Sequence, residues 1–149
     1  EIEHVFEDPK VMAVVHDAQI VDECGNPTGA EGLFANRGSG KGILKNLIKN
    51  SYVGCCMAFR RELIPVICPI PKEMYMHDYW IGTAAEYMGE VYFIKEALID
   101  YRRHSSNVTQ MDHGSLGFMI KKRINIVRCL GLLKRRVKEA GEEIEKVNG

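Results

Sequence analysis

Residues 76–94 read Met-His-Asp-Tyr-Trp-Ile-Gly-Thr-Ala-Ala-Glu-Tyr-Met-Gly-Glu-Val-Tyr-Phe-Ile. Asp78 is suited to cap a helix, because its carboxylate can accept from the unpaired N–H groups of the first turn. Tyr79 to Met88 then predicts that helix, and Gly89 its stop. Val91 to Ile94 follows as an apolar strand. A helix passing into a strand through one glycine points to α/β architecture.

Upstream, Val11 to His16 (VMAVVH) is rich in valine and reads as a buried strand. Asp22 to Pro27 is a turn cluster. Glycines at 29, 32, 38, 40 and 42 predict a mobile loop. Ile43 to Asn50 places apolar residues at 43, 44, 47 and 48, one face of a short helix. Tyr52 to Phe59 lacks charge and predicts a strand buried on both faces. Arg60 to Ile64 can open a helix that Pro65 disturbs, and Pro69 and Pro71 make an extended connector. Downstream, Ala97 to Tyr101 reads as a further strand, separated from Val91–Ile94 by Lys95-Glu96. Ser115 opens a long helix to about Val147, expected to cover part of the sheet. The expected fold is α/β with a mixed sheet of about four short strands.

The 149 residues carry 20 basic and 20 acidic groups, a formal charge of zero. That excludes a generally basic nucleic-acid binder and an acidic disordered chain, so no nucleic-acid partner is expected. No apolar run approaches the ~18 residues that cross a bilayer. The zero conceals an asymmetry. Residues 1–112 carry 11 basic and 16 acidic groups, a balance of −5, and residues 113–149 carry 9 and 4, a balance of +5. We therefore divide the chain into a domain at 1–112 and a basic amphipathic helical tail at 113–149. From Lys121 to Lys138 there are eight basic residues and no acid, interleaved with apolar ones. Such a helix either contacts an anionic membrane surface, here through 116–138, or packs on the domain with a solvated basic face.

The five cysteines, at 24, 55, 56, 68 and 129, are odd in number and show no C-x-x-C spacing. Zinc-ribbon and thioredoxin chemistry are excluded, and a reduced cytoplasmic protein is expected. Cys55 and Cys56 sit in an apolar run as small hydrophobes. Gly38-Ser39-Gly40-Lys41-Gly42 resembles a phosphate loop but has Ala35 and Gly42 where the pattern needs Gly and Ser or Thr.

Three places concentrate reactive side chains. His77-Asp78 opens a helix beside the aromatic pair Tyr79-Trp80. Asp78 is either a cap or a general base at a cleft, with Tyr79 or Trp80 as a wall for a flat or sugar ligand. Arg102, Arg103 and His104 end a strand, suited to a phosphate or, through His104, a divalent metal. The alternative is an exposed basic strand end. His16-Asp17 ends the first strand. In open α/β sheets ligands bind at the carboxyl ends of strands, so this convergence favours a site.

Taken in order, several blocks resemble the C-terminal half of a family 2 glycosyltransferase of GT-A fold, particularly the bacterial rhamnosyltransferase-like members. The blocks are His16 to Gly25 (HDAQIVDECG), Gly54 to Leu63 (GCCMAFRREL), Pro69-Ile70-Pro71, Met76 to Ile81 (MHDYWI), Gly89 to Ile94 (GEVYFI) and Leu98 to Val108 (LIDYRRHSSNV). They span roughly residues 5–110. The resemblance implies a GT-A fold, of which this chain holds the acceptor-side half. It implies that Asp78 is the catalytic base and that His104 lies on a divalent metal, Mg or Mn, or near the diphosphate. It further implies that Gly54 allows close approach of donor or acceptor. His77, Tyr79, Trp80, Arg102 and Arg103 would line the acceptor and substrate region.

The implied reaction is inverting transfer of a sugar, rhamnose among the candidates, from a nucleotide-sugar donor to a glycan or lipid-linked acceptor. It would serve bacterial surface polysaccharide synthesis at the cytoplasmic face of a membrane. The family's Asp-x-Asp metal motif does not occur in this chain, and Asp17 and Asp22 are five apart. The chain alone is therefore expected to bind no metal, to be inactive, and to self-associate through an open apolar sheet edge. Two other readings stand beside it. One is a non-catalytic binding or assembly module that keeps part of the transferase fold. The other is a metal-dependent hydrolase built on His16, Asp17, His77, Asp78 and His104.

Overall fold

A computed structural model describes residues 1–103 and 116–148, leaving out the side chains of 36–37, 116–122 and 143–148. Helix α1 (Ile2–Val5) precedes strand β1 (Val11–Val21), then helices α2 (Leu33–Arg37) and α3 (Ile43–Ile48). A 3₁₀ turn at Gly54–Cys56 leads into β2 (Met57–Phe59), and a second at Arg61–Leu63 into α4 (Ile64–Ile67). Helix α5 (His77–Met88), strand β3 (Glu90–Arg102) and helix α6 (Leu116–Asn148) complete the order.

The three strands form one mixed sheet in the order β2-β1-β3. β1 runs antiparallel to β2, with Val15 opposite Met57, and parallel to β3, from Val11 opposite Glu90 to Val21 opposite Arg102. The expected mixed α/β class is observed, with three strands among the described residues instead of about four. Lys95-Glu96 does not end a strand. Ile94 pairs with His16 and Ala97 with Asp17, so the two residues between are carried as a bulge inside one long β3. β1 also outruns its valine stretch, because Ala18, Ile20 and Val21 are buried as well.

The predicted strand at 52–59 shrinks to its last three residues. Cys56 N–H donates to Val53 O at 2.9 Å, closing a turn that leaves Gly54 and Cys55 exposed while Cys56 is buried. Pro65 does not break its segment. It sits in the first turn of α4, where no intrahelical N–H bond is needed. Gly29–Gly42 is more than a loop, since α2 lies inside it. The Asn46 side chain donates to Gly40 O and Gly42 O, both at 3.0 Å, and accepts from Ser51 N at 2.7 Å.

The main core lies between the α5 face of the sheet and α4, α5 and α6. Trp80, Tyr52, Tyr79, Leu63 and Leu133 are its largest fully buried side chains. α6 was expected to cover the sheet; it packs instead on α4 and α5 through Ile126, Cys129 and Leu133. Arg136 turns inward, donating to Val66 O at 3.0 Å and Pro69 O at 2.9 Å, with its guanidinium 5.8 Å above the Trp80 ring. The opposite sheet face is covered by Ile2, Val5 and Phe6 around Val11, Val14 and Ile94. Arg60 ties this layer down, donating to Val11 O at 2.7 Å and Asp8 O at 3.0 Å with its charge 5.2 Å above Phe6. β3 lies at the sheet's edge, where Tyr92 and Leu98 are exposed beside charged residues. It carries the Lys95-Glu96 bulge and exposed Asp100 and Arg102, devices that oppose strand-to-strand pairing.

Glu86 joins two parts of the core that the sequence leaves unrelated. It accepts from Gly42 N at 2.6 Å and from the Tyr52 hydroxyl. Burial, and then the bond and charge of Glu86, push the Tyr52 hydroxyl far above the ordinary tyrosine range. Unfolded tyrosine ionises near pH 10, so above that pH the unfolded state binds fewer protons and folding stability falls. Tyr52→Phe removes this titration. In urea melts the gap in stability between wild type and Y52F is expected to narrow from about pH 9 upward through about pH 11. A gap that stays constant would show that Tyr52 does not report on alkaline unfolding.

Candidate functional site

The site is built where α5 begins. α5 ends beside the start of β1, since a Cβ on Gly89 would lie 2.4 Å from Lys10 O. Its 12 residues span about 18 Å, the rise of five to six strand residues. Gly54 stands three residues before β2, whose Met57 pairs with Val15, and its neighbours Val53 and Cys56 pack with Ala18 and Ile20 in the carboxyl half of β1.

There the structure brings Gly54, His77 and Asp78 together. A Cβ on Gly54 would lie 3.0 Å from His77 Nε2 and 3.8 Å from Asp78 Cβ. Glycine therefore gives room for the imidazole, a close approach that a larger residue would crowd. His77 is exposed and Asp78 half-buried. Asp78 is not the cap residue, which is Met76; it stands inside the first turn, where its carboxylate accepts from Tyr79 N at 2.8 Å. The positive end of the helix dipole favours a carboxylate there.

Other expected site residues are used elsewhere. Tyr79 and Trp80 are fully buried, which corrects their assignment as ligand walls. Trp80 Nε1 donates to Ile67 O at 2.9 Å, and the Tyr79 hydroxyl donates to Ile43 O at 3.3 Å. Asp17 serves the backbone: its Oδ1 accepts from Ala18 N at 2.8 Å and Phe34 N at 3.1 Å, the second bond capping α2 from 17 residues away. Gly32 lies so close to this carboxylate that a Cβ would stand 2.2 Å from Oδ2. His16 is buried, with Nδ1 2.7 Å from Asp17 O. Arg102 and Arg103 are exposed at the carboxyl end of β3, where Arg103 N donates to Val21 O at 2.9 Å. His104 lies outside the described residues.

No group of three or more His, Cys, Asp or Glu that could hold a metal occurs among the described residues. His16, Asp17, His77 and Asp78 are thus not gathered into such a group among the described residues, and His104, the fifth residue of the hydrolase reading, lies outside them. The Glu86–Tyr52–Gly42 connection was missed there. Its signal was an acidic residue amid Thr83, Ala84, Ala85 and Tyr87, where a buried partner is needed. No family model, curated protein or solved structure matches the chain.

Proposed function

We propose that the chain is the acceptor-side half of an inverting glycosyltransferase of GT-A type, with Asp78 as its base. The observation that supports this reading is the grouping of Asp78, His77 and Gly54, whose neighbours Val53 and Cys56 pack with Ala18 and Ile20 in the carboxyl half of β1. Asp78 would take the proton of an acceptor hydroxyl. That oxygen then attacks the anomeric carbon from the face opposite the leaving group. The carbon–oxygen bond to the nucleoside diphosphate breaks, and configuration inverts. Arg102 and Arg103 are cations suited to the departing phosphates. A divalent metal would supply further charge balance, but the described residues do not make a site for one, and no step above runs through it.

The test is transfer by the full-length protein from a panel of nucleotide diphospho-sugars, rhamnose donors included, to glycan and lipid-linked acceptors. The expected product has inverted anomeric configuration by NMR. Retained configuration, or no transfer from any donor, would overturn the reading. The burial of Tyr79 and Trp80 favours a second one, a binding or assembly module, because it removes the aromatic walls expected of a sugar site. Stable association with a protein partner, without sugar transfer, would select it.

A further inference from the structure

We infer that the outward face of α6 docks on an anionic lipid surface. The inward face is settled by Ile126, Cys129 and Leu133 in the core. On the other side Ile124 and Val127 stand 47% and 56% exposed, an arrangement that burial against the domain does not explain. Arg123 and Arg128 flank them, and the four residues line one shallow depression of about 320 Å³. At helical spacing these positions share one surface.

Charge selects the occupant. Lys121 to Lys138 has no acidic residue. Toward the C-terminus Arg135 and Lys138 pair with Glu139 and Glu142 at 3.7 and 3.6 Å, and Lys134 lies 5.6 Å over the Tyr87 ring. Among the described residues Arg123 and Arg128 make no ion pair with an acid, although Glu73 lines a neighbouring depression with Arg128. Two aliphatic side chains between two such cations match a membrane interface, where apolar groups enter the acyl boundary and cations meet phosphate. A nucleic acid would use the cations and leave Ile124 and Val127 without a role. No helix among the described residues is long and apolar enough to cross a membrane, so the contact is a peripheral one. This inference is independent of the role given to Asp78.

The test is co-sedimentation of the full chain with phosphatidylcholine vesicles, with and without phosphatidylglycerol. Binding to the anionic vesicles alone is expected. Each Arg or Lys at such a surface multiplies partitioning about fivefold, so R123Q/R128Q is expected to weaken binding about 25-fold. I124S/V127S, which keeps every charge, is expected to weaken it by about fivefold or more. The four positions are solvent-facing, and far-UV circular dichroism checks that the variants fold. Equal binding to neutral vesicles, no binding, or full retention by either variant would overturn the inference. So would tighter binding of duplex DNA that I124S/V127S leaves unchanged.

Discussion

Replacing Asp78 with Asn is expected to lower turnover of the proposed transfer by about 10²–10⁴-fold, the usual contribution of a positioned base. At 1.36 kcal/mol per tenfold this is about 3–5 kcal/mol of transition-state stabilisation. Asn is nearly isosteric and keeps an oxygen that can accept from Tyr79 N, so the first turn of α5 survives. What is lost is the capacity to take a proton at neutral pH. Donor binding, measured by calorimetry on D78N, is expected to stay near the wild-type value. Unchanged turnover would reduce Asp78 to a carboxylate that favours its helix. His77→Gln separates the neighbour: if His77 were the base, H77Q and not D78N would show the large loss.

Trp80→Ala is expected to destabilise the fold by about 3–5 kcal/mol, against a total of about 5–15 kcal/mol for ordinary domains. The indole is fully buried among three helices and the sheet, so its removal leaves a cavity that fixed backbone cannot fill. It also strands the Ile67 carbonyl, which accepts from Nε1, and takes away the ring beneath Arg136. Trp80→Phe keeps most of the volume and loses the bond, so its cost is expected to be the smaller one. Urea denaturation followed by circular dichroism measures both. A loss of under ~1 kcal/mol in W80A would place the indole outside the core.

The two substitutions fall two residues apart, and the difference in their effects is what the sequence could not supply. His77-Asp78-Tyr79-Trp80 reads as one reactive cluster, yet a helix turns 100° per residue and sends neighbours to different faces. α5 is covered nearly all round, by the sheet on one side and α4 and α6 on the other. Tyr79, Trp80, Gly82, Thr83, Ala84 and Ala85 are consequently all buried, and only the exposed start of the helix is open to a ligand. Gly82 gives way to Tyr52, whose ring atoms would be 2.5 Å from a Cβ there. Local signals did mark the α5 start, its Gly89 stop and the strand beyond. Asp17 capping α2, and Glu86 bridging Tyr52 and Gly42, depend on partners 17, 34 and 44 positions away. No local pattern encodes such distances.

The parallel pairing of β1 with β3 has a consequence for how the chain reaches this structure. Val11 meets Glu90 and Val21 meets Arg102, partners about 80 residues apart. Antiparallel partners come earlier for Ala13, Val14 and Val15, at β2, and for Val21, at Pro27. During synthesis β1 emerges first, and most of its hydrogen-bonding edge waits until the chain has grown past Arg102. Long-range pairings of this kind are slow to form because the loop must close before any contact rewards it. An eleven-residue strand, apolar along most of its length, thus spends that interval without its main partner, the condition under which chaperones are needed.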